Sequence, residues 1–105
     1  IAAYVASKHA ALGIIKSAAL DLGRDGVRVN GVAPGPIATK ALISRIENRL
    51  KGSNSSVNEY LEKLAGQTAL GRIATEDEVI NTIEFLATEK SSGITGQLIS
   101  VDGGA

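Results

Sequence analysis

Val27-Arg28-Val29-Asn30-Gly31-Val32-Ala33, with the Pro34-Gly35-Pro36-Ile37-Ala38-Thr39 that follows, decides the fold. The first stretch is rich in β-branched residues, with glycine before it and proline after it, so it reads as a buried strand over Val27 to Ala33. Asn30-Gly31 is a hairpin signal on local grounds. No second strand long enough to pair back follows it, however, and the strand is read through. After Pro34 the chain must leave the sheet, because Pro34 has no amide donor and Pro36 holds Gly35 extended. A loop leaving the carboxyl end of a strand is where open α/β sheets bind their ligands.

Before this strand, Ala2 to Leu22 has the residues of a strong helix. Val5, Leu12, Ile15, Ala19 and Leu22 fall near one stripe, and the many alanines suit close approach of a neighbour. Gly23-Arg24-Asp25-Gly26 ends the helix, since glycine adopts the left-handed conformation that a helix end requires. After the loop, Lys40 to Leu50 and Val57 to Ala65 read as two short helices separated by the polar stretch Lys51 to Ser56. Thr75-Glu76-Asp77-Glu78 is a capping box. It starts a helix through Thr88 with Val79, Ile80, Ile83, Leu86 and Ala87 on its apolar face. Ser91 to Gly96 reads as a loop and Gln97 to Val101 as a last short strand. Strand, helix, strand in that order implies a right-handed crossover and a parallel pair. Two strands cannot bury their own faces, so further strands must complete the sheet.

Composition excludes several functions. Eleven basic and eleven acidic residues give zero formal net charge. There is no basic stripe of the kind that nucleic-acid binding needs, and Tyr4, Tyr60 and Phe85 are the only aromatics available for stacking. The absence of Cys rules out disulfides and thiolate chemistry and fits a reducing, cytoplasmic setting, while a lone His cannot build a zinc cluster. No apolar run approaches the roughly 18 to 20 residues of a membrane span.

Tyr4-Val5-Ala6-Ser7-Lys8 carries the chemistry. On a helix, residues four apart stand on one face, roughly 5 to 6 Å apart at Cβ. Phenols ordinarily ionise near about 10 and carry protons poorly at neutral pH. A cation about 5 Å away favours the phenolate by roughly 3 kcal/mol at an effective dielectric of about 20, so Lys8 reads as an activator of Tyr4, beside the alternative that the two are an ordinary pair on a solvated helix face.

Taken in order, Tyr4 to Lys8, Val27 to Asn30, Pro34 to Thr39, Ile94-Thr95-Gly96 and Asp102-Gly103-Gly104 resemble the carboxyl-terminal part of the short-chain dehydrogenase/reductase family. The resemblance runs essentially from end to end. It implies an α/β fold, the carboxyl-terminal part of a Rossmann-like doubly wound parallel sheet. Residues 1–105 would be one portion of a single NAD(P)-binding domain, with the glycine-rich phosphate turn and a catalytic Ser before residue 1. On this expectation the 105 residues alone are not an enzyme.

The resemblance further implies that Tyr4 is the acid/base and that Lys8 assists it and hydrogen-bonds the nicotinamide ribose. Tyr4 and Lys8 thus count among the cofactor-binding residues, as do Pro34, Gly35, Ile37 and Thr39, whose loop touches the nicotinamide and its carboxamide. The cofactor is NAD or NADP, the choice resting on residues outside this sequence. The substrate class is a small carbonyl compound or secondary alcohol, and family members are commonly dimers or tetramers.

Alternatives stand beside these roles. Pro34 to Thr39 also reads as a plain turn into a helix, with Thr39 near its N-cap. Ser7 reads as packing rather than catalytic, and His9 as a solvated or packing residue. Residues 38–70 are expected to form a substrate lid whose Ile43, Ile46, Leu50, Leu61 and Leu64 face either substrate or core. Epimerase or dehydratase chemistry, or a non-catalytic binding or assembly subunit, would share the fold. A self-standing helical module would leave both strands without a sheet.

Overall fold

The computed structural model describes residues 1–105. The order of elements is α1 (Ala2–Leu22), β1 (Gly31–Pro34), α2 (Lys40–Arg49), α3 (Val57–Gly66), α4 (Glu76–Ala87) and β2 (Leu98–Val101), with short 3₁₀ turns at Gly23–Asp25 and Glu89–Ser91. Helix ends agree with the sequence expectation to within one residue, the usual uncertainty of a fraying terminus. The chain divides into two compact units, Ile1–Ala33 with Thr82–Ile99 and Pro34–Asn81 with Ser100–Ala105.

β1 and β2 pair as a two-stranded sheet. The Gly31 N–H donates to the Gln97 carbonyl at 2.8 Å and the Gly35 N–H to the Val101 carbonyl at 3.0 Å. Partners advance in the same direction along both strands, so the pair is parallel, as the strand–helix–strand order requires.

In the first unit, α1 forms from helix-favouring Ala, Leu and Lys and ends at Leu22, after which a 3₁₀ turn carries the chain to Gly26. The Val27 N–H returns to the Leu22 carbonyl and the Gly26 N–H to the Gly23 carbonyl. Gly26 is left-handed at φ 76, whereas Gly23 stays right-handed. This is a Schellman end, displaced by a 3₁₀ turn from the end of the α-helix. Ile15 and Ala19 face the sheet: a Cβ on Gly31 would lie 2.6 Å from Ile15 Cδ1, and one on Gly96 would lie 3.3 Å from Ala19 Cβ. Val5 and Leu22, expected on the same stripe, are exposed, because the sheet faces only the middle turns of the helix.

The expected strand from Val27 to Ala33 begins four residues later, at Gly31. Side chains take over the ladder before that point. The Val29 N–H donates to Thr95 Oγ1, while Asn30 donates through Nδ2 to the Ile94 carbonyl and accepts the Gln97 N–H at Oδ1. Gly31 is not left-handed and no hairpin forms. The strand is half-buried rather than buried, since one neighbouring strand cannot cover it.

Arg28 binds this unit together. Its guanidinium donates to the Ser91 hydroxyl and to the carbonyls of Ile94, Leu86 and Thr88. Leu86 lies in the last turn of α4, where carbonyls lack helical partners and a cation is favoured. Ser91, only 1% exposed, returns its own hydroxyl to Leu86 and Thr88.

In the second unit, α2 and α3 start at well-formed caps: Thr39 Oγ1 accepts the Leu42 N–H and Ser56 Oγ accepts the Glu59 N–H. Ile46 is buried at 3% exposure. The capping box of α4 is reciprocal, with the Glu78 N–H on Thr75 Oγ1 at 3.1 Å and the Thr75 N–H on Glu78 Oε2 at 2.9 Å. Along α4, Val79, Thr82 and Leu86 are half-buried, whereas Ile80 and Ile83, expected on the apolar face, are exposed. The covered stripe is therefore rotated by about one residue, with Thr82 in the place expected for Ile83.

Candidate active site

Tyr4 and Lys8 lie in the first turns of α1, which Ala2, Ala3 and Ala6 favour as helix. The fold brings them together: Lys8 Nζ sits 5.3 Å from the centre of the Tyr4 ring, over its face. The cation thus approaches the π system, a contact worth roughly 0.5–1 kcal/mol at an exposed position. Tyr4 is 63% exposed, so its phenol is open to solvent and to any molecule placed against this turn. Ser7, expected to pack, is exposed, and its hydroxyl donates to the Tyr4 carbonyl at 2.7 Å. His9 is exposed, with Nδ1 2.9 Å from the Val5 carbonyl. Both groups are occupied with the backbone of their own helix.

Pro34 closes β1, and Gly35, Ile37 and Thr39 lie in the loop that follows it in the second unit, before α2. Gly35 is half-buried, and Asp102 lies where a side chain on it would go: a Cβ there would meet Asp102 Cβ at 2.7 Å and Asp102 Cα at 2.9 Å. Asp102 Oδ1 in turn accepts the Gly104 N–H at 2.9 Å. The carbonyls of Gly103 and Gly104, both left-handed residues, accept the N–H groups of Leu70 and Ala69. The chain end is thereby tied into the unit that carries the loop.

The loop uses some of its donors and leaves others. The Gly35 N–H is taken by Val101 and the Thr39 N–H by the Ile37 carbonyl at 2.7 Å. Thr39 Oγ1 accepts from Leu42 at 3.2 Å, which realises the helix-cap alternative. A hydroxyl that accepts still has its own proton to give. The Thr39 O–H and the Ile37 N–H are therefore donors without an acceptor in this chain, which suits an amide oxygen placed against the loop.

Further along, the loop runs into a cavity of about 170 Å³ between α2 and α3, lined by Pro36, Leu42, Ile46 and Leu64 and edged by Arg45, Arg49 and Tyr60. Of the lid's apolar residues, Ile46 and Leu64 face this cavity. Sequence reasoning passed over Arg45, Arg49 and Tyr60. The i, i+4 spacing of the two arginines on α2 was the available signal. Arg28, quoted in a motif but given no role, is the other omission. No three His, Asp or Glu side chains converge as a metal ion needs, and no helix is long and apolar enough to cross a membrane.

The strongest electrostatic feature lies apart from these residues. Arg72 grips Glu78 through two nitrogens, at 3.1 and 2.6 Å. That bond, followed by the Thr75 amide, holds the Glu78 carboxyl at about 2, well below its ordinary 4.5.

Comparison with known proteins gives this geometry a context. A family model described as enoyl-(acyl carrier protein) reductase matches residues 1–105. A short-chain dehydrogenase/reductase of Armillaria gallica is 41% identical over 102 residues, which cover 97% of this chain and 38% of that protein. Among solved structures, a short chain dehydrogenase family protein from Francisella tularensis superposes with a TM-score of 0.88 at 36% identity, covering 96% of this chain and 42% of that one. L-sorbose reductase from Gluconobacter frateurii, complexed with NADPH and L-sorbose, superposes with a TM-score of 0.87 at 29% identity, covering 96% and 39%. The 105 residues thus span 38% of the length of the Armillaria relative. The strands and helices are those of a Rossmann-type α/β fold.

Proposed function

We propose that this chain, which belongs to the short-chain dehydrogenase/reductase family, carries the acid/base pair of an oxidoreductase acting on a small carbonyl compound or secondary alcohol. Its cofactor is NAD or NADP, the class bound in the similar L-sorbose reductase. The observation that carries the reading is the pairing of the exposed Tyr4 with the Lys8 ammonium, 5.3 Å from the centre of its ring.

The nicotinamide, when bound, supplies or accepts the hydride. Tyr4 gives its phenolic proton to the substrate oxygen in reduction and takes the hydroxyl proton in oxidation. Lys8, beside the Tyr4 ring, holds the ribose. Ile37 and Thr39 offer the carboxamide their two unpaired donors, and Pro34 and Gly35 place that loop. Residues 38–70 act as the substrate lid within a single NAD(P)-binding domain. The 105 residues contain no glycine-rich phosphate turn and on their own neither bind the cofactor nor turn it over.

The test is isotopic. The full-length protein is incubated with nicotinamide cofactor deuterated at the transferring carbon and a panel of small ketones. Deuterium at the product carbinol carbon, lost in Tyr4→Phe, is the expected outcome. Product without net cofactor oxidation points instead to epimerase or dehydratase chemistry, and absence of any transfer across the panel overturns the oxidoreductase reading.

A further inference from the structure

The cavity between α2 and α3 combines an apolar floor with unpaired positive charge. Ile46, at 3% exposure, is the best-buried hydrophobic residue in the chain, and Leu42, Leu64 and Pro36 complete the floor. At about 170 Å³ the space is comparable to an engineered apolar cavity of about 150 Å³ that holds one benzene. Its floor presents hydrocarbon, so water has few partners there.

The edge is chemically different. Arg45 and Arg49 stand one turn apart on the same face of α2, and neither makes an ion pair. Glu47 lies two positions from each, a spacing that points to another face of the helix. Glu59 and Glu62 of α3 do not line the cavity. Arg49 Nη1 is steadied by the Tyr60 phenol oxygen at 3.1 Å, which leaves the Tyr60 O–H proton and the other guanidinium nitrogens to be used. A planar guanidinium fork beside a small apolar hollow fits a carboxylate joined to a compact hydrocarbon group.

We propose that this cavity is a binding site for a small carboxylic acid whose branched or cyclic apolar end rests on Ile46 and Leu64 and whose carboxylate is held by Arg45 and Arg49, with Tyr60 as a further donor. The site lies wholly within the second unit and requires neither Tyr4 nor a nicotinamide cofactor.

The probe is 4-methylpentanoate, with 4-methylpentanamide as its neutral counterpart, titrated against the protein while methyl NMR signals of Ile46 and Leu64 are followed. Hydrogen bonds to charged groups contribute about 1.5–3 kcal/mol each, so the acid should bind about tenfold or more tighter than the amide. Arg45→Gln and Arg49→Gln, exposed changes that keep helix propensity, should each weaken the acid about tenfold and leave the amide where it was. Equal binding of acid and amide overturns the proposal. So does acid binding unmoved by both substitutions, or saturation by neither probe. Because the titration reads no turnover, failure of hydride transfer would overturn the function proposed above and leave this site standing, and the converse holds equally.

Discussion

Asp102 occupies the space that a side chain on Gly35 would need, with its Cβ 2.7 Å from the position of a Gly35 Cβ. The obstruction includes the Asp102 backbone at 2.9 Å, so it cannot be relieved by turning a side chain. Gly35→Ala should therefore force β1 and the Asp102 turn apart and destabilise the protein by about 1–3 kcal/mol, the usual cost of overpacking. Chemical denaturation of parent and variant checks this. Asp102→Gly alongside Gly35→Ala removes one of the two obstructing groups and should recover part of the loss.

Arg28 makes a second, independent prediction. Its guanidinium satisfies four acceptors at once, including Ser91 Oγ and the Leu86 carbonyl. Arg28→Met keeps the aliphatic stem and leaves those acceptors short, at about 1–3 kcal/mol. Arg28→Lys should recover little, because one ammonium cannot span a fork of acceptors. Hydrogen exchange of the Ile94 and Gly96 amides should accelerate more than exchange within α2, which checks that the loss is local.

The Glu78 carboxyl supplies a pH dependence with a definite sign. Its native value of about 2 lies below its ordinary 4.5, through the Arg72 bond first and the Thr75 amide second. A depressed carboxyl stabilises the fold above the ordinary value and loses that contribution as pH falls through the native one. The effect should therefore be complete above about 4.5 and fade toward about 2. Because the pair is exposed, the effect is small. Glu78→Gln should flatten the melting temperature against pH across that window, and an unchanged slope would exclude Glu78 as its source.

Thr39 separates two roles that the sequence left side by side. Its Oγ1 caps α2, so Thr39→Ala should cost about 1 kcal/mol of stability. If its O–H also serves the carboxamide, cofactor affinity should fall by about 0.5–1.5 kcal/mol. Thr39→Asp keeps a capping oxygen but, ionised, has no proton to donate. Stability should return while NAD(P) affinity does not. Recovery of both would reduce Thr39 to a cap.

These residues show where the sequence was legible. Thr75 and Glu78 were read correctly because a capping box is local: both partners lie within four residues. The parallel pair was legible from the order of elements. The start of β1 was not, because it depends on Asn30 and Val29 meeting Thr95 and Gln97 more than sixty residues away. Exposure of Val5, Ile80 and Ile83 was equally hidden, since periodicity finds an apolar face but not what covers it. At the candidate site the spacing of Tyr4 and Lys8 foretold their meeting, but not that the ammonium would lie over the ring face. Arg45 and Arg49 were missed because their significance comes from the hollow beside them.

The pairing of Tyr4 with Lys8 carries the most exposed prediction. In the full-length protein, Tyr4→Phe removes the transferable proton and keeps the ring over which Lys8 Nζ sits. Cofactor affinity should survive while turnover falls about 100-fold or more, the scale of lost general acid/base catalysis. Lys8→Ala should lower turnover and also weaken the cofactor through the lost ribose contact, so the two variants differ in binding as well as in rate. The double variant decides whether they act as one device. If Lys8 works through the Tyr4 proton, its removal costs little further turnover once that proton is gone, and the combined loss falls well short of the product of the separate ones. Steady-state kinetics on the four proteins, with cofactor dissociation constants measured separately, gives the coupling directly. Turnover of Tyr4→Phe within a few-fold of the parent, or losses that multiply, would show that proximity on α1 is not catalytic coupling.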